Sequence, residues 1–225
     1  MLDVSDSWKT IYAGGAAGVL LMRGASNPLH HPALEQRVSE WEVEFRKRFR
    51  MNDRAALRAL PVLQAYAAYY RRFRKTYHVE LQLESVLFKG RAIPRSPALV
   101  GAMVAAELKN LLLTAGHDRA AVESPVTLDV AAGGERYVLL NGREEELKAG
   151  DMMMSDRQGV ISSVLYGPDQ RTRITPHTRD GFFAVYAPPG IGAVPVRRHL
   201  EDLRDAVLLV APDALIEALD VYTAS

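Results

Sequence analysis

The polar decamer Asp-Gln-Arg-Thr-Arg-Ile-Thr-Pro-His-Thr, residues 169–178, holds several side chains that suit ligand contacts. Arg171 and Arg173 can grip phosphate through paired N–H groups, but the same residues also serve as solvated charges or partners of nearby carboxylates. Gln170 can both donate and accept hydrogen bonds. The hydrophobic runs on either side predict two strands, so we expect the decamer to join two strands at one rim of a sheet. A loop held at both ends is a common place for function.

The remaining candidates in this part of the chain each have a structural alternative. The hydroxyls of Thr172 and Thr175 suit turns as well as a site. His117 follows Gly116 and is either a histidine that caps free carbonyls at a helix end or a member of the site. His30 and His31 are adjacent and therefore point in different directions, and no carboxylate lies at ligand spacing. We therefore expect no metal ion.

Basic and aromatic residues alternate in the segment "YYRRFRKTYH", residues 69–78. Such mixtures occur on RNA-binding surfaces, where the basic side chains contact the backbone. On a helix, the same mixture also arises when long basic side chains lie over the edges of buried rings. The candidate RNA contacts of this segment are Arg71, Arg72, Arg74 and Lys75.

The elements that must position these residues follow from periodicity. "AAGVLLMRGASNP" predicts a buried strand, residues 32–50 and 54–77 predict helices with an interruption near Pro61, and residues 78–90 predict a third helix. Residues 98–113 predict a helix that is apolar nearly all round and hence central. From Ser124 the pattern changes to strands, and a helix follows over about 196–210. The sequence therefore predicts an α+β fold, with N-terminal helices packed on a mixed, largely antiparallel β-sheet and with a buried central helix.

Composition limits the classes of protein to consider. The 225 residues are enough for one large domain, and 28 basic against 27 acidic residues leave a net charge of +1, so nucleic acid must be bound by a local patch. The absence of cysteine excludes disulfides, cysteine-ligated zinc and thiol catalysis. The absence of cysteine fits a cytoplasmic protein best. We expect no membrane span, because the apolar stretch around residues 11–24 is short and rich in glycine.

Several stretches, in their order and spacing, resemble a known family. They are "LESVLFKGRAIPRSPALV", the Gly-Gly-Glu at 133–135, the "LKAGD" turn at 147–151, and Arg171-Thr172 with Ile174-Thr175. Over residues 30–210 the chain resembles the tRNA-binding and editing domain of the phenylalanyl-tRNA synthetase beta subunit, in its free-standing versions. The resemblance implies one free-standing domain over residues 1–225, a cytoplasmic role in translation quality control, and a mischarged tRNA as partner. It implies hydrolysis of the aminoacyl ester without metal or other cofactor.

The resemblance also implies roles for particular residues. Gln170 stands where the family has a glutamate that reads the amino acid, and Ala115 stands where the family has a histidine. The candidate catalytic residues are His117, Arg171 and Thr172. Those for the substrate are Gln170, Arg95 and Thr175, and Arg171 and Arg173 are added to the RNA contacts, in a pocket between the buried helix and the decamer.

Three hypotheses follow from the sequence. The first is a trans-acting aminoacyl-tRNA hydrolase, in which a second site destroys mischarged products. The second is an RNA-binding module without catalysis, and the third is an amino-acid-binding protein that reuses the same pocket. Hydrolysis of charged tRNA separates the first from the others, and salt-sensitive tRNA affinity separates the second from the third.

Overall fold

The computed structural model describes residues 2–49, 54–93 and 96–224. Helices and strands are interleaved along the chain. The helices are α1 (Asp6–Ile11), α2 (Pro32–Arg48), α3 (Arg54–Arg58), α4 (Pro61–Arg72), α5 (His78–Phe88), α6 (Ala98–Asn110) and α7 (Ala193–Val210). The strands are β1 (Leu2–Val4), β2 (Ala16–Arg23), β3 (Leu113–Asp118), β4 (Val126–Val130), β5 (Arg136–Val138), β6 (Glu144–Glu146), β7 (Met152–Asp156), β8 (Gly159–Ser163), β9 (Gly167–Pro168), β10 (Gly181–Ala187) and β11 (Leu215–Thr223). The α+β class predicted from the sequence is confirmed.

The strands divide among three sheets. The first has the order β1-β4-β7-β8-β9, the second β11-β2-β10-β3, and the third is the hairpin β5-β6. Among the strands of the described residues, only the β1 to β4 pair is parallel, so the sheets are mixed but largely antiparallel, as predicted. All seven residues of β10 are buried, because this strand lies between β2 and β3 and both of its faces are covered.

Helix α6 is the buried central helix that the sequence predicts. Its buried residues include Leu99, Ala102, Ala105 and Leu108, which lie on several sides of the helix. The helix packs against α2, α7 and strand β3. Its first turn is held by Asn27, whose Oδ1 accepts the Leu99 N–H at 2.9 Å.

Three tyrosines of α4 attach this helix to the two larger sheets. Tyr66 donates to the Tyr186 carbonyl at 2.5 Å, Tyr70 donates to the Val164 carbonyl at 2.6 Å, and Tyr69 donates to the Asp151 carboxylate at 2.5 Å. Each buried phenol therefore finds a partner, which removes the cost of burying its hydroxyl. Among the described residues, no helix is long and apolar enough to cross a membrane.

Two predicted local structures are wrong. His117 does not cap a helix end: α6 ends at Asn110, and His117 lies inside strand β3. The decamer does not connect two strands at the rim of one sheet, because β8 and β9 belong to the first sheet and β10 to the second. The decamer is therefore the link between the two sheets.

Candidate functional site

The decamer lies along the free edge of the second sheet. The backbone of Arg173 forms an antiparallel β-bridge with the backbone of His117 in β3, and the Asp118 N–H donates to the Thr172 carbonyl at 2.7 Å. Thr172 contacts His117, whereas Ile174 contacts the position of Gly116; because neighbouring residues of a strand face opposite sides, these two contacts lie on opposite faces of β3. Ile174 contacts Gly116 together with Met103 of α6, where a Cβ on the glycine would collide with both side chains.

The start of the decamer is held by two strands. The Asp169 N–H donates to the Ile161 carbonyl, and the Gln170 N–H donates to the Val138 carbonyl, both at 2.8 Å. The end is held by a turn, in which the Thr178 hydroxyl accepts the Thr175 N–H at 2.9 Å and donates to Asp118 at 2.7 Å. The backbone of the loop is thus anchored at both ends.

A buried chain of hydrogen bonds runs inward from the loop through Asp169, Thr172 and His117. The Thr172 hydroxyl donates to the Asp169 carboxylate and lies 2.7 Å from His117 Nδ1. All three residues are buried, and the exposed fraction of His117 is 0%. Burial, with a smaller contribution from the charge of Arg171, lowers the pKa of His117 to about 3.

The protonation of His117 follows from this chain. A neutral imidazole has one N–H, and the Thr172 proton is already used on Asp169, so His117 Nδ1 must be the donor to the threonine oxygen. The other ring nitrogen, Nε2, then carries a lone pair, and it is buried without a hydrogen-bond partner. His117 and Thr172 hold the loop in place from the inside.

The guanidinium of Arg171 is bound by other residues of the protein. Its guanidinium donates to the Ala121 carbonyl and to Asp156 Oδ1, each at 2.8 Å, and its Nε lies 3.7 Å from Asp169. Burial by itself would raise the pKa of Asp156, but the N–H groups of Glu123 and Gln158 and the charge of Arg171 together lower it. Arg171 therefore neutralises a buried carboxylate while 30% of its side chain stays exposed.

An open groove of about 400 Å³ lies on the outer side of the decamer, and we call it the loop groove. It combines cations and amides with the carboxylate of Asp169 and one aromatic residue: its lining includes Arg136, Arg173, Gln158, Gln170 and the largely buried Tyr137. Arg173 is exposed and donates to the Gln170 carbonyl at 2.7 Å. Arg136 pairs with Glu146 at 2.8 Å, so Arg173 is the more available cation.

Two of the stretches that carry the family resemblance, residues 133–135 and 147–151, meet behind this groove. The Gly134 N–H donates to the Leu147 carbonyl at 3.3 Å, and the Leu147 N–H donates to the Glu135 carbonyl at 2.8 Å. Leu147 packs in a small buried cluster with Tyr137 and Val160, and these two residues line the groove.

The other predicted site residues lie in different places. Thr175 contributes to the turn at the end of the decamer, and its carbonyl accepts from Asn27 at 2.8 Å, which links the loop to the first turn of α6. Ala115 is buried in β3. Arg95 lies outside the described residues.

The basic residues at 71–75 do not share one face. Arg72 lies over the rings of Tyr12 and Phe73, at 5.4 and 5.6 Å, and Lys75 Nζ lies 3.9 Å from the centre of the Tyr166 ring. Burial is the main cause that lowers the pKa of Lys75. Arg71 and Arg74 are exposed. The arrangement of Arg72 and Lys75 is that of basic side chains packed over aromatic edges.

Sequence reasoning missed the partners that shape the loop groove. Asp156 ends β7 in a "SD" pair that looks like an ordinary turn, and Gln158 and Arg136 lie beside other polar residues with no distinctive spacing. Asp156 could have been found by asking which carboxylate in a neighbouring strand is able to pair with Arg171, since the two residues are 15 positions apart and form an ion pair. Within the described ranges no group of three or more histidine, aspartate or glutamate side chains is arranged to hold a metal ion.

Comparison with known proteins gives little further information. No protein-family model matches the sequence, and no curated protein matches it. One similar solved structure is the crystal structure of an N-terminal fragment of the phenylalanyl-tRNA synthetase beta-subunit from Pyrococcus horikoshii, with a TM-score of 0.48 and 13% identity. The match covers 98% of this chain but only 50% of that fragment. Function must therefore be argued from the side chains.

Proposed function

We propose that this protein binds the aminoacylated 3′ end of a tRNA in the loop groove and hydrolyses the ester of mischarged tRNA. The observation that carries this proposal is the lining of the groove, in which Arg173, Gln170 and Gln158 occur together with Tyr137. A guanidinium suits a terminal phosphate, amides suit the polar groups of an amino acid, and an aromatic ring suits a base or ribose.

In this proposal, the loop divides binding between two neighbouring residues. Arg173 contacts the phosphate of the last nucleotides, and Gln170 contacts the aminoacyl group. Arg171, Thr172 and His117 position the loop, because each of them is engaged with the protein itself. The resemblance of residues 133–135, 147–151 and 171–175 to a tRNA-editing family supports the same placement, since these stretches lie at or behind the groove.

The ester is cleaved by a positioned water. The water oxygen attacks the carbonyl carbon, the bond from that carbon to the ribose oxygen breaks, and the ribose oxygen takes up the proton that the water loses. The neighbouring ribose hydroxyl of the tRNA can relay this proton, and amide or guanidinium N–H groups can stabilise the developing oxyanion. No buried side chain of the protein has to reach the reacting atoms.

A second candidate is an RNA-binding module without catalysis. It is favoured by the burial of His117 and Thr172 and by the ion pair between Arg171 and Asp156. These contacts leave the three candidate catalytic side chains occupied within the protein.

Binding of two forms of one tRNA tests the proposed placement. Arg173→Gln should weaken binding of intact tRNA by roughly 10- to 100-fold, as expected for loss of one charged hydrogen bond. The same substitution should have no effect on tRNA lacking its terminal CCA. Lys89→Gln removes an exposed charge outside the groove and is the matched control. An equal effect of Arg173→Gln on both tRNAs would place the 3′ end elsewhere.

A further inference from the structure

A second groove lies where α2 and α6 end and where α4 and α7 begin, and we call it the helix-end groove. Its volume is about 320 Å³, and its lining includes the basic residues Arg48, Lys109 and Arg198. Asn110 and several apolar residues, including Pro61 and Val194, form the rest of the wall. Val194 is 81% exposed although it is aliphatic, which leaves an apolar surface between the charges.

Two of the three cations have no ion-pair partner among the described residues, although Arg48 lies 5.0 Å from the centre of the Phe49 ring. Lys109 Nζ lies 2.7 Å from Asp202 and 4.7 Å from the centre of the Trp41 ring, so its charge is balanced. Arg48 and Arg198 are exposed, and no carboxylate within the described ranges forms an ion pair with either of them. No acidic side chain is present among the residues that line this groove.

Ordinary helix electrostatics explain only one of these two charges. Arg48 is in the last turn of α2, where a cation complements the negative end of the helix. Arg198 lies in the second turn of α7, close to the positive end of that helix, and the first turn of α7 contains no acidic residue. The charge of Arg198 is thus stabilised neither by the dipole of its own helix nor by an ion pair with a described residue, and it is available to an external anion.

We propose that the helix-end groove binds the phosphodiester backbone of RNA and provides a second contact with tRNA, away from the 3′ end. This inference rests on the proposed function, because tRNA is the polyanion that the loop groove is proposed to hold. A nucleotide strand matches the arrangement of charge and apolar surface: phosphates pair with Arg48 and Arg198, and ribose or base packs against Pro61 and Val194. Since the whole chain has a net charge of only +1, such local groups must supply the attraction.

The salt dependence of tRNA binding tests this inference. The double variant Arg48→Gln/Arg198→Gln should bind tRNA roughly tenfold more weakly at about 0.1 M salt, and the slope of log affinity against log salt should fall by about 1 to 2, as expected for two lost phosphate contacts. Lys89→Gln/Arg157→Gln makes the same change in net charge with two exposed residues outside the groove and should retain most of the slope.

The experiment is repeated with tRNA lacking its terminal CCA. If only the proposed function is wrong, trimming has no effect while the groove variant still lowers the slope. If only the groove inference is wrong, trimming weakens binding while the two double variants behave alike. Absence of any tRNA binding by the unmodified protein overturns both. Loss of binding to phosphatidylserine vesicles in the groove variant, with tRNA affinity retained, assigns the groove to a membrane surface and overturns the RNA proposal.

Discussion

Replacement of Thr172 by valine removes the hydroxyl that joins Asp169 to His117 while it keeps the shape of the side chain. Residue 172 gives Asp169 two hydrogen bonds, one from its hydroxyl and one from its N–H, and the variant keeps only the one from the N–H, at 3.1 Å. His117 Nδ1 loses its acceptor in a fully buried position. A buried donor left without a partner costs about 1–3 kcal/mol, and a hydrogen bond to a charged group contributes about 1.5–3 kcal/mol. The two losses overlap, so we expect the free energy of unfolding to fall by about 2–4 kcal/mol.

Urea unfolding followed by circular dichroism measures this change directly. Thr172→Ser keeps the hydroxyl and should restore most of the stability. Thr175→Val removes a half-buried hydroxyl of the same loop that takes no part in the buried chain, and it should cost about 1 kcal/mol or less. If Thr172→Val is as stable as Thr172→Ser, the buried chain does not hold the loop, and the protonation assigned to His117 is wrong.

Three further predictions concern pH, stability and RNA binding. In the folded protein the pKa of His117 lies below the ordinary value of 6.5, so the buried neutral ring contributes stability above about pH 6.5, and this contribution is lost as the pH falls toward 3. The free energy of unfolding of the wild type, relative to that of His117→Asn, should therefore fall by about 2 kcal/mol between pH 7 and pH 5. A difference that does not change with pH would contradict the protonation assigned to His117. Arg171→Gln removes the guanidinium that pairs with the buried Asp156 and should lower the free energy of unfolding by about 1–3 kcal/mol. Arg173→Gln should change it by less than about 0.5 kcal/mol. Equal effects of the two substitutions in urea unfolding would refute the separate roles given to Arg171 and Arg173. Arg71→Gln/Arg74→Gln should lower tRNA affinity without loss of stability, while Arg72→Gln should also cost about 0.5–1 kcal/mol through its lost ring contacts, as anisotropy and thermal unfolding would show.

The sequence predicted the elements whose signals are local. Helix α6 is apolar on nearly all sides, and a helix of this kind is stable only in the interior. Strand β10 is a continuous apolar run and is fully buried. Pro61 begins α4 and separates it from α3, because proline is tolerated in the first turn of a helix and not in its middle.

Strand β3 could not be predicted because the end of α6 carries no stop signal. The residue after the helix is Leu111, which adopts a left-handed conformation with φ of 64°, although glycine is the usual residue there. The apolar pattern therefore continues from helix into strand without interruption. For this reason the sequence prediction placed His117 at the end of a helix, whereas the residue lies in strand β3.

The candidate site could be predicted only in part for a similar reason. The decamer stood out because eight polar side chains lie between two apolar runs. The inward direction of Arg171 depends on Asp156, and the groove depends on Tyr137 and Gln158, which other strands bring to the loop. Such contacts depend on how two sheets meet, and no spacing within the decamer contains that information.

Deacylation of a panel of mischarged tRNAs tests the proposed function most directly. We predict that the protein hydrolyses at least one mischarged tRNA faster than the spontaneous rate, that Gln170→Ala changes the relative rates among different aminoacyl groups, and that Arg173→Gln slows all of them alike. A protein that binds these tRNAs but accelerates none of them would contradict the hydrolase proposal and would support the RNA-binding module.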